Sequence, residues 1–124
     1  MAGSAAVNRK AGNGGFLLDY LGLGFTGLYF IEREKIPTDI SELSGRLAAI
    51  DRHFSLLVIS RKSLLQEPFT VIFDGEGRIF DAYAAKDGSF YLLRPDRHVA
   101  ARWVAAQVGE IEDALSIGLG RGKG

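Results

Sequence analysis

The run FSLLVIS, Phe54 to Ser60, limits this chain more than any other stretch. It is apolar almost throughout and of strand length, the pattern of a β-strand covered on both faces. The segments around it supply the cover. IPTDISELSGRLAAIDRHF places Ile40, Leu43, Leu47 and Ile50 in one stripe at 3.6-residue spacing, and Thr38 or Asp39 can cap that helix, with Glu42 three residues after Asp39. RIFDAYAAK puts Ile79, Phe80, Tyr83 and Ala84 on one face of a shorter helix, predicted to end at Asp87-Gly88. Val108, Ile111, Leu115 and Leu119 line a last helix despite Gly109 near its start.

Further strands are predicted at Gly24 to Glu32, at Phe69 to Asp74 before the turn Asp74 to Gly77, and on both sides of Arg94 to His98. The order is strand, helix, strand, strand, helix, strand, strand, helix. Alternation of this kind favours a mixed β-sheet flanked by helices. A β-α-β unit followed by a hairpin and a helix is the thioredoxin-like arrangement, so the expected class is α/β with a thioredoxin-like fold.

Composition removes several kinds of chemistry. The chain has 124 residues, enough for one core, and its basic and acidic residues balance at 15 each. That balance argues against a nucleic-acid binder. With no cysteine, thiolate nucleophiles, disulfides and cysteine-ligated metals are excluded. No apolar run approaches the ~20 residues of a membrane span. The start has no signal-like hydrophobic region, which reads as cytoplasmic. Residues 1–15 are small, polar and glycine-rich and read as a flexible leader or linker; 16–119 form the domain and 120–124 a tail.

The turn Arg94-Pro95-Asp96-Arg97-His98 is the most chemical-looking stretch. Pro95 presets φ for the first inner turn position, and Asp96 can accept hydrogen bonds from the amides that follow. One reading makes Arg94, His98 and Arg102 an anion or partner site. The other makes the turn structural, with Arg94 or Arg102 paired to Asp96 or Asp81. Turn chemistry explains the proline and aspartate without a ligand, which favours the second. Strict alternation puts Val99, Ala101 and Trp103 on one face and His98, Ala100 and Arg102 on the other. Trp103 is expected to be largely buried between the hairpin and the last helix.

Two other patterns carry less. Gly22-Leu23-Gly24-Phe25-Thr26-Gly27 spells G-x-G-x-x-G, but a strand follows it where a phosphate-binding helix N-terminus is required. Its glycines are read as relieving crowding where the strand begins. His53 and His98, the two histidines, do not make a tetrahedral metal site without carboxylates from undefined positions.

GSFYLLRPDRHVAARW resembles the closing hairpin of the C-terminal domain of FAD-dependent aromatic-ring hydroxylases, the phenol hydroxylase-like flavin monooxygenases. Gly88, Leu92, Arg94, Pro95, Asp96, His98, Val99, Ala100, Ala101, Arg102 and Trp103 carry the likeness. Asp19, Gly22, Gly24, Phe25, Thr26 and Leu28 resemble that family's first segment, and FDGEGRIFDAYAAKDG its middle one. The resemblance implies a thioredoxin-like fold with no catalytic, cofactor or metal residues of its own. It implies packing on the FAD and substrate domains of a parent hydroxylase, support of a homodimer, and FAD and NAD(P)H in that parent. Arg94, Pro95, Asp96, His98, Arg102 and Trp103 are then a structural or interaction motif. The alternative is a stand-alone, redox-inactive thioredoxin-like module binding a protein or small ligand. A working thioredoxin needs thiols where the first helix begins and a proline before the hairpin; IPTDIS and Asp87-Gly88-Ser89 stand there instead.

Overall fold

The computed structural model describes residues 5–12, 15–63, 69–105 and 108–118. It contains strands β1 (Thr26–Ile31), β2 (Ser55–Ser60), β3 (Thr70–Phe73), β4 (Phe90–Leu93) and β5 (Val99–Trp103). Three helices, α1 (Thr38–Ile50), α2 (Arg78–Ala82) and α3 (Val108–Gly118), and a 3-10 turn at Leu17–Tyr20 complete it. The five strands form one sheet in the order β3-β2-β1-β4-β5. β1 runs parallel to β2 and antiparallel to β4, β2 is parallel to β3, and β4 and β5 form an antiparallel hairpin. This is the thioredoxin-like mixed sheet expected from the order of elements.

Every residue of β1 is buried, because β1 is the central strand and both faces of the sheet are covered. On one face α1 and α3 bring Ile40, Leu43, Leu47, Ile111 and Leu115 against Tyr29, Ile31, Val58, Phe90 and Leu92. On the other, α2 and the 3-10 turn bring Ile79, Phe80, Tyr83 and Leu17 against Leu28, Phe30, Ile59, Ile72, Tyr91 and Leu93. Phe30 anchors that second face. Its ring lies 5.1 Å from Phe80 and 5.9 Å from Tyr91, both edge to face, and such pairs add about 0.5–1.5 kcal/mol beyond area burial. Of the predicted stripes, Ile40, Leu43 and Leu47 are buried while Ile50 at the end of α1 is half-buried. Leu119 and the side chain of Val108 lie outside the described residues.

Several boundaries differ from expectation for physical reasons. α1 follows Pro37 with no side-chain cap, so neither Thr38 nor Asp39 serves as one. α2 stops at Ala82, well before Asp87-Gly88. The Ala84 amide donates to the Asp81 carbonyl at 3.2 Å and the Ala85 amide to the Phe80 carbonyl at 2.9 Å. That pair of bonds is a Schellman ending, and it puts Ala84 in the left-handed region at φ 51 where glycine is usual. In β5 the pairing jumps from Leu92–Ala101 to Leu93–Val99, leaving Ala100 as a bulge. Val99 therefore turns to the α2 face, while Trp103 stays on the α1/α3 face.

Residues 5–12, assigned by composition to a flexible leader, lie across the α2 face as an arm. The Ala6 amide donates to the Arg97 carbonyl at 2.7 Å, and the Tyr83 hydroxyl donates to the Val7 carbonyl at 2.6 Å. The Leu17 amide donates to the Arg9 carbonyl, Ala11 is buried, and the Gly12 amide donates to the Phe73 carbonyl at 2.8 Å. Alanine at positions 6 and 11 lets the backbone approach the sheet closely, so burial here comes from fit rather than from large side chains. Among the described residues, no helix is long and apolar enough to cross a membrane.

Candidate functional site

The hairpin turn is built by its own residues. The Arg97 amide donates to the Arg94 carbonyl at 2.9 Å, with Pro95 and Asp96 at the inner positions and Arg97 left-handed at φ 66. Asp96 Oδ1 accepts the His98 amide at 3.1 Å and Arg94 Nε at 3.1 Å, and Arg94 Nη2 bonds Oδ2. His98 Nδ1 sits 3.4 Å from the same carboxylate. The Arg94 guanidinium, bonded directly to Asp96, holds its carboxyl down at about 2. Arg94, Pro95, Asp96 and His98 thus come together, and the arginine already has its anion.

Arg102 and Trp103 do not join that cluster. Arg102 Nη1 donates to the Tyr91 hydroxyl at 3.3 Å, and its guanidinium lies 5.7 Å from the Tyr91 ring centre. Of the two arginines expected to pair with Asp96 or Asp81, Arg94 takes Asp96, and among the described residues Arg102 pairs with neither. Trp103 is half-buried, edge to face with Phe90 at 6.1 Å on the opposite side of the sheet. The three-cation site Arg94/His98/Arg102 is therefore not assembled, because the bulge and the strand pleat direct Arg102 away from the turn.

The segment joining β1 to α1, where a working thioredoxin would need its thiols, is tied down by Asp87. Its Oδ1 accepts the Glu32 amide at 2.8 Å and its Oδ2 the Arg33 Nε at 2.8 Å. The Gly88 amide donates to the Phe30 carbonyl at 2.7 Å, with Gly88 left-handed at φ 93. Behind this clamp the Tyr29 hydroxyl is pushed up to about 12 by burial, against the pull of Arg33 and with Asp87 and Asp39 adding to it. A buried, neutral phenol behind an ion pair offers neither a nucleophile nor a base at neutral pH.

Gly22 and Gly24 prove to be packing glycines. A Cβ at Gly24 would meet His53 Cβ at 2.6 Å and Asp51 Oδ2 at 2.7 Å, and one at Gly22 would meet Ser55 Oγ at 2.7 Å. Asp51, buried, accepts the Phe25 amide at 3.2 Å and the His53 amide at 3.0 Å. The G-x-G-x-x-G stretch thus fits against the α1–β2 turn. Among the described residues, no group of three or more histidine or carboxylate side chains could hold a metal ion.

A groove that sequence reasoning missed opens where the arm meets β3. Its volume is about 630 Å³, and Lys10, Gly12, Phe73, Asp74, Glu76 and Arg78 line it. Asp74 is buried beneath, its Oδ2 accepting the Ile79 amide at 3.0 Å and the Phe80 amide at 2.9 Å at the start of α2. Arg78 is held by Glu76 at 2.7 Å. Phe73 presents an exposed ring. The only signal in the sequence was the turn Asp74 to Gly77, whose meeting with residues 10–12 is a long-range event.

No known protein family matches the sequence, and no curated protein does. Solved structures do. A peroxiredoxin 6 of Arenicola marina, crystallised as a cysteine-to-serine mutant, superposes with a TM-score of 0.72 at 16% identity, covering 94% of this chain and 72% of its own. Mycobacterium bovis AhpC gives 0.70 at 14% identity, covering 94% and 90%. A thiol:disulfide interchange protein DsbE described from Chlorobium tepidum gives 0.68 at 19% identity, covering 96% and 95%. These are thioredoxin-fold proteins in their own right, not C-terminal domains of flavin hydroxylases. The resemblance to the aromatic-ring hydroxylases, and the role as a domain of such an enzyme, are corrected accordingly. Arg-Pro-Asp and the following His belong to a tight hairpin turn, which accounts for them without common ancestry. At these identities the likeness establishes a thioredoxin-like fold.

Proposed function

We propose that this chain is a thioredoxin-like binding module that works by non-covalent contact, with the groove between the arm and β3 as its ligand face. One observation carries the reading: 124 residues without a cysteine, on a fold whose solved neighbours are by name peroxiredoxins and a disulfide-interchange protein. Thiolate is the nucleophile in thiol–disulfide chemistry, and the Asp87 clamp occupies the corresponding segment. A groove of about 630 Å³ falls within the ~300–1,000 Å³ of small-molecule sites. The exposed Phe73 ring suits an apolar ligand body, and Lys10 suits an acidic group at one end.

Amide NMR of the intact chain titrated with a panel of small organic acids tests this. Saturable shifts centred on Gly12, Phe73, Gly75 and Arg78 are expected, with background rates in peroxide-consumption and disulfide-reduction assays. Turnover in either assay, or no groove shift from any acid of the panel, overturns the reading. We further place the protein in the cytoplasm, which recovery in the cytosolic fraction would support.

A further inference from the structure

A second, smaller cavity lies at the opposite edge of the sheet, between the loop after α2 and the end of the β4–β5 hairpin. Its volume is about 150 Å³, and Lys86, Ser89, Tyr91, Arg102, Trp103 and Val104 form its walls. We propose that this cavity is a binding site for a small oxyanion, a phosphate or carboxylate group, held by Arg102 and Lys86. It is independent of the groove reading.

Both cations face the cavity, and no carboxylate residue lines it. The acids nearest in sequence are committed elsewhere. Asp87, next to Lys86, bonds Arg33 and the Glu32 amide, and Asp96 bonds Arg94 and the His98 amide. Among the described residues neither Arg102 nor Lys86 forms an ion pair.

The walls are preset. The Tyr91 hydroxyl spends its proton on the Tyr83 carbonyl, so toward Arg102 Nη1 its oxygen can only accept. That bond and the underlying Tyr91 ring fix one edge of the guanidinium and leave further N–H groups for a ligand. Ser89 Oγ accepts the Lys86 amide at 2.9 Å and donates to the Val104 carbonyl at 3.3 Å. One hydroxyl therefore ties the lysine wall to the far wall. At about 30 Å³ per water, the space equals roughly five waters, room for one oxyanion group. A guanidinium fork engages two oxygens of a carboxylate or phosphate in parallel, and the lysine adds a point charge.

Amide NMR signals of Lys86, Ser89, Arg102 and Val104, which line the cavity, report occupancy. The intact chain is titrated separately with inorganic phosphate and with benzoate, at ionic strength held constant with sodium chloride. A saturable change with a dissociation constant of about 10 mM or tighter is expected from at least one. If phosphate saturates and benzoate does not, the ligand is a tetrahedral anion; the reverse identifies an organic carboxylate. Arg102→Gln is expected to weaken binding about tenfold or more and Lys86→Gln several-fold, while Arg94→Gln, at the hairpin turn, leaves it unchanged. Should Arg102→Gln perturb folding, Lys86→Gln decides, since that side chain is exposed. A response reproduced by sodium chloride alone, no response to either anion, or wild-type affinity in Lys86→Gln overturns the proposal.

Discussion

Asp74→Ala tests the structure at the floor of the groove. Asp74 is 3% exposed, and its Oδ2 accepts two amides, Ile79 at 3.0 Å and Phe80 at 2.9 Å. Alanine leaves both donors without a partner at the start of α2. A lost bond to a charged group costs about 1.5–3 kcal/mol, and water entering the vacated space recovers part of it, so about 3–4 kcal/mol is expected in total. Both amides use the same oxygen, so Asp74→Asn can keep both bonds through its carbonyl and should lose only about 1 kcal/mol. Urea unfolding followed by Trp103 fluorescence reads the difference. With a slope of about 1.5 kcal/mol/M, Asp74→Ala should move the midpoint down by about 2 M. A midpoint within about 0.3 M of wild type, or Asp74→Asn as damaging as alanine, would refute the capping role.

Three further expectations follow from local geometry. Ala84→Gly relieves a left-handed backbone costing about 1–2 kcal/mol while adding unfolded-state entropy, so it should stabilise by about 0.5–1 kcal/mol in the same urea assay; destabilisation would show that the Schellman ending is misread. The Asp96 carboxyl, bonded to Arg94, is held down at about 2 from 3.8, so its stabilising share is fully present above pH 3.8 and disappears as pH falls through about 2. Carboxyl NMR should give a wild-type midpoint near 2 that rises toward 3.8 in Arg94→Gln; equal midpoints would exclude the pair in solution. The Tyr29 hydroxyl is raised from 10.0 to about 12 by burial, so its contribution holds below pH 10 and is lost as pH climbs through about 12. Absorbance titration should show Tyr29→Phe lacking one late phenolate.

Much of the fold was legible because its signals are local. The FSLLVIS run marked β2, the Ile40/Leu43/Leu47 stripe marked α1, and the Pro95-Asp96 pair marked the turn that the structure builds from those residues. What escaped notice depends on contacts distant in sequence or on a side chain in an uncommon role. Alanine in a left-handed position gave no warning that α2 ends at Ala82. The bulge at Ala100 moved Val99 to the other face, and period-two counting cannot foresee an inserted residue. Trp103 is large and apolar, yet on the edge strand β5 it stays half-buried. The groove and the small cavity are each made by segments far apart in the chain. The hydroxylase likeness failed for a related reason: turn-forming residues recur wherever the same bend is needed.

The outermost strands of a sheet present unpaired backbone groups that recruit foreign strands. Here those strands are β3 and β5, and a single short segment meets both ends of the problem. Ala5 and Ala6 pair beside the β5 hairpin at His98 and Arg97, and Gly12 takes the carbonyl of Phe73 at the close of β3. Peeling the arm away would free hydrogen-bonding groups on both margins in one event and bare the core beneath Ala11. Damage to these few small residues would therefore surface first as edge-to-edge self-association of the sheet, ahead of any loss of the helices.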